Sequence, residues 1–179
     1  MDLVEKLVVL HHALRRADIP HAYGGALALG WCTSQARGTI DIDLNILCDA
    51  TQLDTIIPAL PLEIVVTDGN RMELTTAGQT RCRWDGVPVD IFLNTTPFHD
   101  DLFDRVQWHE LDGVRLPFLG CTDLATFKVF FNRPKDWVDL AAMFEVATVD
   151  GELVLGVVAR YLELSDPRVA RLQELLAAR

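Results

Sequence analysis

The sequence predicts an α/β (α+β) protein: a small mixed β-sheet flanked by helices over residues 1–119, followed by a helical subdomain over 120–179 packed on that core. Three observations predict it. Residues 39–47 alternate Thr39, Asp41, Asp43 and Asn45 with Ile40, Ile42, Leu44 and Ile46, the period of a strand with one apolar face. Two Asp-Gly pairs, Asp85-Gly86 and Asp112-Gly113, each separate two apolar runs, the strongest short-range hairpin signal. Beyond Gly120 the apolar residues recur at helical spacing with no further strand pattern.

The elements follow in order. Leu3, Leu7, Leu10 and Leu14 lie on one face of an amphipathic helix that ends before Pro20. Residues 21–23 form a short strand, Gly24-Gly25 a turn, and 26–32 a small-residue helix. After the strand at 39–47, residues 51–60 make a helix and 63–67 a short strand. Residues 71–75, 79–84 and 87–93 then read as a β-meander, and 106–111 with 114–119 as a second hairpin. Four helices complete the chain, at 122–132, 134–145, 151–164 and 167–178.

Composition narrows the function. With 16 Lys and Arg against 26 Asp and Glu, the chain carries −10, which argues against nucleic-acid binding through a sequence-wide basic surface. A chain of 179 residues buries roughly 70% of its unfolded surface and needs neither disulfides nor structural metals to hold a core. The four cysteines, Cys32, Cys48, Cys82 and Cys121, form no CxxC pair and read as reduced core thiols. Charges interrupt the apolar residues of the N-terminus, and no run approaches 18 apolar residues, so a soluble cytoplasmic protein without a membrane span is expected.

Chemistry concentrates in Asp41 and Asp43. Carboxylates at i and i+2 of a strand share a face, with Cα atoms about 6.6 Å apart, and such like charges raise one another's pKa unless a cation intervenes. Mg²⁺ or Mn²⁺ prefers those hard oxygens. Asp90 is likewise central in an apolar strand and could complete a three-carboxylate cluster for two metals about 3.5–4 Å apart. Gly24-Gly25 would end a strand where backbone N–H groups can approach phosphate oxygens and a helix N-terminus follows. Strict alternation would add Arg37 and Thr39 to the same face. The histidines have no metal-ligand spacing, apart from the adjacent pair His11 and His12, and read as structural or surface residues. The tryptophans read as core or subdomain contacts, with Trp137 a candidate to border a nucleotide. No Ser/His/Asp or Cys/His nucleophile set is evident.

The run Gly24-Gly25-Ala26-Leu27 followed by Arg37-Gly38-Thr39-Ile40-Asp41-Ile42-Asp43-Leu44 resembles the signature of the DNA polymerase β-type nucleotidyltransferases. Its Arg-x-Thr-x-Asp-x-Asp form is similar to the AbiEii/MenT-like toxin branch. Leu124–Lys128 and the stretch Arg133-Pro134-Lys135-Asp136-Trp137-Val138-Asp139-Leu140 resemble the later helical motifs of that branch. The resemblance covers residues 20–145. It implies that Asp41, Asp43 and Asp90 bind catalytic Mg²⁺ (or Mn²⁺), Asp90 also being a possible base. It implies further that Gly24 and Gly25 cradle a nucleoside triphosphate and that Arg37, Thr39, Lys128 and Lys135 line it, with Asp139 beside them and Lys128 taking part in catalysis. Read from the residues alone, Lys128 is as well a snorkelling surface lysine, and Asp139 an i+4 partner of Lys135.

The expected function is therefore Mg-dependent transfer of a nucleoside monophosphate. The acceptor would be tRNA or a protein, in a toxin with an antitoxin partner. An antibiotic acceptor of aminoglycoside or lincosamide type, and an inactive nucleotide- or partner-binding homologue, are the alternatives.

Overall fold

The computed structural model describes residues 1–35, 38–100 and 102–178. The chain divides into two units: residues 1–27 with 38–119, and residues 28–35 with 120–178. Residues 28–35, expected in the first unit, belong to the second.

In the first unit, helix α1 (Leu3–Arg16) opens on a capping box in which Asp2 accepts from the Glu5 N–H and Glu5 accepts from the Asp2 N–H. Two donors that the first turn would otherwise leave without partners are satisfied. Leu7, Leu10 and Leu14 are fully buried on its inner face. Buried Lys6 pairs with Asp85 at 2.8 Å and lies 4.6 Å over the Trp84 ring, so its charge is compensated twice.

Six strands form one sheet among the described residues: β1 (His21–Tyr23), β2 (Ile42–Ile46), β3 (Gln79–Trp84), β4 (Val87–Leu93), β5 (Gln107–Leu111) and β6 (Val114–Phe118). Their order is β3-β4-β2-β1-β6-β5. The pairs β2/β4 and β1/β6 are parallel and the others antiparallel. Both Asp-Gly turns are two-residue hairpin loops with positive φ, 47° and 84° at Asp85-Gly86 and 49° and 74° at Asp112-Gly113, the twist that suits antiparallel neighbours. Ile42, Leu44 and Ile46 are fully buried on one face of β2, beside Val89 and Ile91 of β4. Tyr23 and His21 share that face, and the Tyr23 hydroxyl donates to the Leu7 carbonyl of α1 at 2.6 Å. Asp43 and Asn45 therefore point to the opposite face.

Several expectations are corrected. The strand expected over 39–47 pairs only from Ile42, because the Asp41 N–H donates to Thr39 Oγ1 at 3.1 Å and this local bond replaces the ladder. Residues 63–67 form no strand, and 71–75 lie inside helix α4 (Asp68–Ala77). The signal was a cap: the Thr67 side chain accepts from the Asn70 N–H, Asn70 Oδ1 accepts from the Thr67 N–H, and Gly78 ends the helix at φ 66°. Residues 51–60 split into a 3-10 turn (Ala50–Gln52) and α3 (Leu53–Ala59), and a one-turn helix α5 (Leu102–Arg105) follows a second 3-10 turn at Pro97–His99. α1 packs on β6 and α3, and α4 on β3.

Helix α2 (Gly25–Thr33) starts in the first unit and contributes Ala28, Leu29 and Cys32 to the second. There it joins α6 (Cys121–Phe131), α7 (Pro134–Glu145), α8 (Gly151–Tyr161) and α9 (Pro167–Ala177). A Cβ on Gly151 would lie 2.2 Å from a Leu176 methyl, so glycine is what lets α8 and α9 close there. Cys32 and Cys121 form a disulfide with Cα atoms 5.5 Å apart, which corrects the reading of four reduced thiols. Their separation of 89 residues left no spacing signal. Thr148 Oγ1 donates to the Cys32 carbonyl at 2.6 Å beside it. Cys48 and Cys82 are free and buried, and burial pushes both thiols up. Among the described residues no helix is long and apolar enough to cross a membrane.

Two outcomes follow from this packing. His21 Nδ1 lies 2.9 Å from the Ile19 carbonyl and must donate to it, so His21 Nε2 accepts from His11 Nδ1 at 3.0 Å. Burial first, then the charges of His21, His12 and Arg15, lower His11 from 6.5 to about 4. Below the unfolded value the unfolded chain binds more protons than the native one, so stability falls as pH drops from 6.5 to about 4. Urea unfolding across that window should show the slope, flattened in His11→Gln. Replacing Cys32 and Cys121 together by Ser should lower the unfolding free energy by about 2–4 kcal/mol. An unchanged urea midpoint would show that the bond does not form in solution.

Candidate active site

The Gly24-Gly25 turn lies against the centre of β2. The Gly24 N–H donates to the Asp43 carbonyl at 2.8 Å. Gly25 sits at φ 55°, and a Cβ built there would fall 1.7 Å from Asp43 Oδ2. A side chain there would be strained by the backbone angle and would force the Asp43 carboxylate to move. α2 begins at Gly25, so N–H groups left unpaired by its first turn open beside the Asp43 carboxylate.

Asp43 and Asp90 are direct partners in the parallel β2/β4 pair, both half-buried. Strands this close, about 4.8 Å apart, bring two like charges together at a cost that a cation must offset. Arg81 of β3 supplies it. Paired with Asp90 in register, Arg81 donates from Nε to Oδ1 and from Nη2 to Oδ2, each at 2.6 Å, and Nη2 also lies 3.9 Å from Asp41 Oδ2. The bidentate hydrogen bonds to Asp90, its charge, and the charges of Asp41 and Asp43 hold the guanidinium above its ordinary range. The Arg81 side chain remains 57% exposed.

Arg81 was missed in the sequence, although a signal for it exists. From the two-residue turn at Asp85-Gly86, the antiparallel register runs Trp84↔Val87 and reaches Arg81↔Asp90 three pairs further on. Hairpin counting alone would have put a cation opposite the third acid.

The donor set of Asp41, Asp43 and Asp90 is carboxylate oxygen throughout, which suits Mg²⁺ or Mn²⁺. Among the described residues, however, no group of three His, Cys, Asp or Glu side chains is disposed to hold a metal ion. Both Asp90 oxygens are engaged by Arg81, whose guanidinium also lies near Asp41. Thr39 lies outside the strand and is bonded to the Asp41 backbone. Arg37 falls outside the described residues.

The remaining candidates belong to the second unit. Lys128 is buried in α6, and its ammonium donates to Asp139 of α7 at 2.7 Å and lies 3.7 Å from Asp136. It does not snorkel to the surface, and the partner shown for Asp139 is Lys128, not Lys135 at i−4. Asp136 is fully buried at the start of α7, where Arg133 holds it through its backbone N–H at 3.0 Å and its guanidinium at 2.8 and 3.1 Å. Burial pushes the Asp136 carboxyl up, but the Arg133 bonds and the charges of Arg133 and Lys128 outweigh it and leave it below the usual range. A buried network of this kind is costly to break one partner at a time. Trp137 donates to Asn132 Oδ1 at 2.8 Å and stacks under Arg171 at 4.4 Å. Lys135 is exposed at the first turn of α7.

No protein-family model matches the chain, and no curated protein sequence does. Solved structures do match. The solution structure of the antibiotic-resistance factor ANT(2'')-Ia aligns over 100% of both chains at TM-score 0.58 and 12% identity. A crystal structure of the same factor, in complex with adenylyl-2''-tobramycin, aligns over 89% of this chain and 97% of its own at TM-score 0.55 and 12% identity. An antigenic nucleotidyltransferase-like protein from Paracoccidioides brasiliensis aligns over 99% of this chain and 88% of its own at TM-score 0.54 and 16% identity. The lincosamide antibiotic adenylyltransferase LnuA, lincomycin-bound, aligns over 80% and 97% at TM-score 0.52 and 12% identity. At such identities the likeness speaks for the fold: the six-stranded mixed sheet with its flanking helices is that of nucleotidyltransferase-like proteins.

Proposed function

We propose that the protein is a nucleotidyltransferase that moves a nucleoside monophosphate from a nucleoside triphosphate to a hydroxyl of a small cationic acceptor of the antibiotic class. The observation that carries this reading is the Asp43–Asp90 pair in register beside a glycine turn whose Gly25 lies so close to Asp43 that a side chain there would displace the carboxylate. Asp41 and Asp43 would hold Mg²⁺ or Mn²⁺, joined by Asp90 once Arg81 lets go. A bound divalent cation would draw charge from the phosphate oxygens.

The chain's own groups have the following roles in this reading. The backbone at Gly24-Gly25 and the first turn of α2 receive phosphate oxygens. An acceptor oxygen attacks the α-phosphorus, the bond to pyrophosphate breaks, and Asp90 takes the acceptor's proton. Released from Asp90, the Arg81 guanidinium is free to pair with a phosphate of the nucleotide. Arg37, Thr39 and Lys135 are further candidates for the triphosphate. Lys128 and Asp139 enter as an ordering pair between α6 and α7.

For the acceptor, ANT(2'')-Ia with its adenylylated tobramycin and lincomycin-bound LnuA support a small hydroxylated antibiotic. The charge of −10 favours a cationic one. The same charge works against tRNA, and these likenesses lend no support to tRNA or to an antitoxin partner.

The test is incorporation of label from each of the four nucleoside triphosphates into a panel of aminoglycosides, lincosamides and tRNA, with Mg²⁺ or Mn²⁺. Transfer to an antibiotic, lost to background in Asp41→Asn and Asp43→Asn and reduced about 10²–10⁴-fold in Asp90→Asn, is expected. Transfer to tRNA alone would overturn the acceptor, and no transfer to any of them the enzyme reading for this panel. Because Arg81 competes for Asp90, Arg81→Gln should bind Mn²⁺ about tenfold more tightly in the absence of nucleotide, measured calorimetrically. Equal affinity would show that the guanidinium does not compete.

A further inference from the structure

A second concave site lies on the first unit, away from the acidic cluster. Its cavity of about 480 Å³ falls within the range of small-molecule pockets, about 300–1,000 Å³. It surrounds the N-terminal end of β1 at His21, whereas Asp43 meets the other end of β1 at Gly24. The His21 and Asp43 side chains also occupy opposite faces of the sheet, since His21 shares its face with Ile46 and Leu44.

The lining has a defined chemistry. Arg15 of α1 and Arg115 of β6 bring two guanidinium groups, and no ion pair is found for either among the described residues. Arg15 also complements the C-terminal end of the α1 dipole, a role that Arg115, on a strand, does not have. Asp18 is the one acid in the lining, so the pocket is net positive in a chain of charge −10. Trp108 and Phe103 are 41% and 52% exposed, with Arg115 5.9 Å from the Trp108 ring. Large aromatic faces left open to water at the wall of a cavity are ready to cover a flat ligand.

The floor adds a directional group. His11 is 2% exposed and lines the cavity. The chain of bonds through His21 to the Ile19 carbonyl places the His11 proton on Nδ1. Its Nε2 is then an acceptor, for which the described residues offer no partner, and the low pKa of His11, about 4, keeps the ring neutral near pH 7. Two cations, an aromatic wall and one buried acceptor converge on one small volume.

We propose that this pocket binds a small planar aromatic anion, a carboxylate or phosphate ester that also carries a hydroxyl or N–H donor. The anion pairs with Arg15 and Arg115, the ring lies against Trp108, and the donor reaches His11 Nε2.

Calorimetry on the metal-free protein tests this with 4-hydroxybenzoate, 4-hydroxyphenyl phosphate and the neutral 4-hydroxybenzamide. Saturable binding of an anionic probe is expected, at least about tenfold tighter than the amide, and weakened about tenfold by Arg15→Ala or Arg115→Ala, as for loss of a charge-assisted hydrogen bond. The tighter of the two anions identifies the charged group. Both arginines are exposed, so these variants should fold as the parent does. Asp43→Asn should bind the probes unchanged; a loss there would put them at the acidic cluster and overturn the proposal. Equal affinity for the amide, unaltered binding in both arginine variants, or no saturable binding of either anion would overturn it as well.

Discussion

The carboxylates of Asp43 and Asp90 stand across one inter-strand spacing from each other, and the open face of the sheet unit is organised around that repulsion. The buried apolar face of β2 sets the register: Ile42, Leu44 and Ile46 must all point inward, and a slip by one residue would bury the acids instead. With the register held, Asp43 and Asp90 have no freedom to part. Arg81 answers the repulsion from the neighbouring strand with both of its hydrogen-bonding arms, and the glycine turn at Gly24-Gly25 leaves the Asp43 carboxylate the room it occupies.

The cation chosen matters for what the site can do. A guanidinium on an edge strand, more than half exposed, is a compensating charge that can move, unlike the Lys6 ammonium buried between Asp85 and Trp84. The acidic cluster thus carries its own compensating charge on a side chain that solvent can reach. Lys128 shows the other strategy. Its charge is locked between two helices by Asp139 and Asp136, with Arg133 beyond them, where it orders α6 against α7.

The legibility of the chain follows the range of its interactions. Asp-Gly hairpins were visible because two residues decide them. Helix α7 begins at Pro134 and ends at Glu145 as its pattern predicts, since proline at N1 and the apolar spacing are both local. Within α4, residues 71–75 carry a strand-like pattern because the helix has little apolar content and its identity rests on a Thr67/Asn70 cap and Gly78. The strand from 39 was overextended because alternation continues through Thr39 and Asp41 while their hydrogen bonds do not. The Cys32–Cys121 bond, across 89 residues, had no local trace at all.

By itself the sequence determined the element types over most of the chain, the two hairpin registers, and the presence of an acidic strand after a glycine turn, because each rests on neighbours within a few residues. The tertiary structure alone decided that Asp43 faces Asp90, so that the Arg81–Asp90 pair of the hairpin joins one acidic cluster, and that Lys128 is spent on Asp139. It also decided that His11 and His21 meet beneath two arginines. Those outcomes depend on which strands and helices become neighbours, and that is settled by burial of apolar faces summed over the whole unit, which no local pattern encodes.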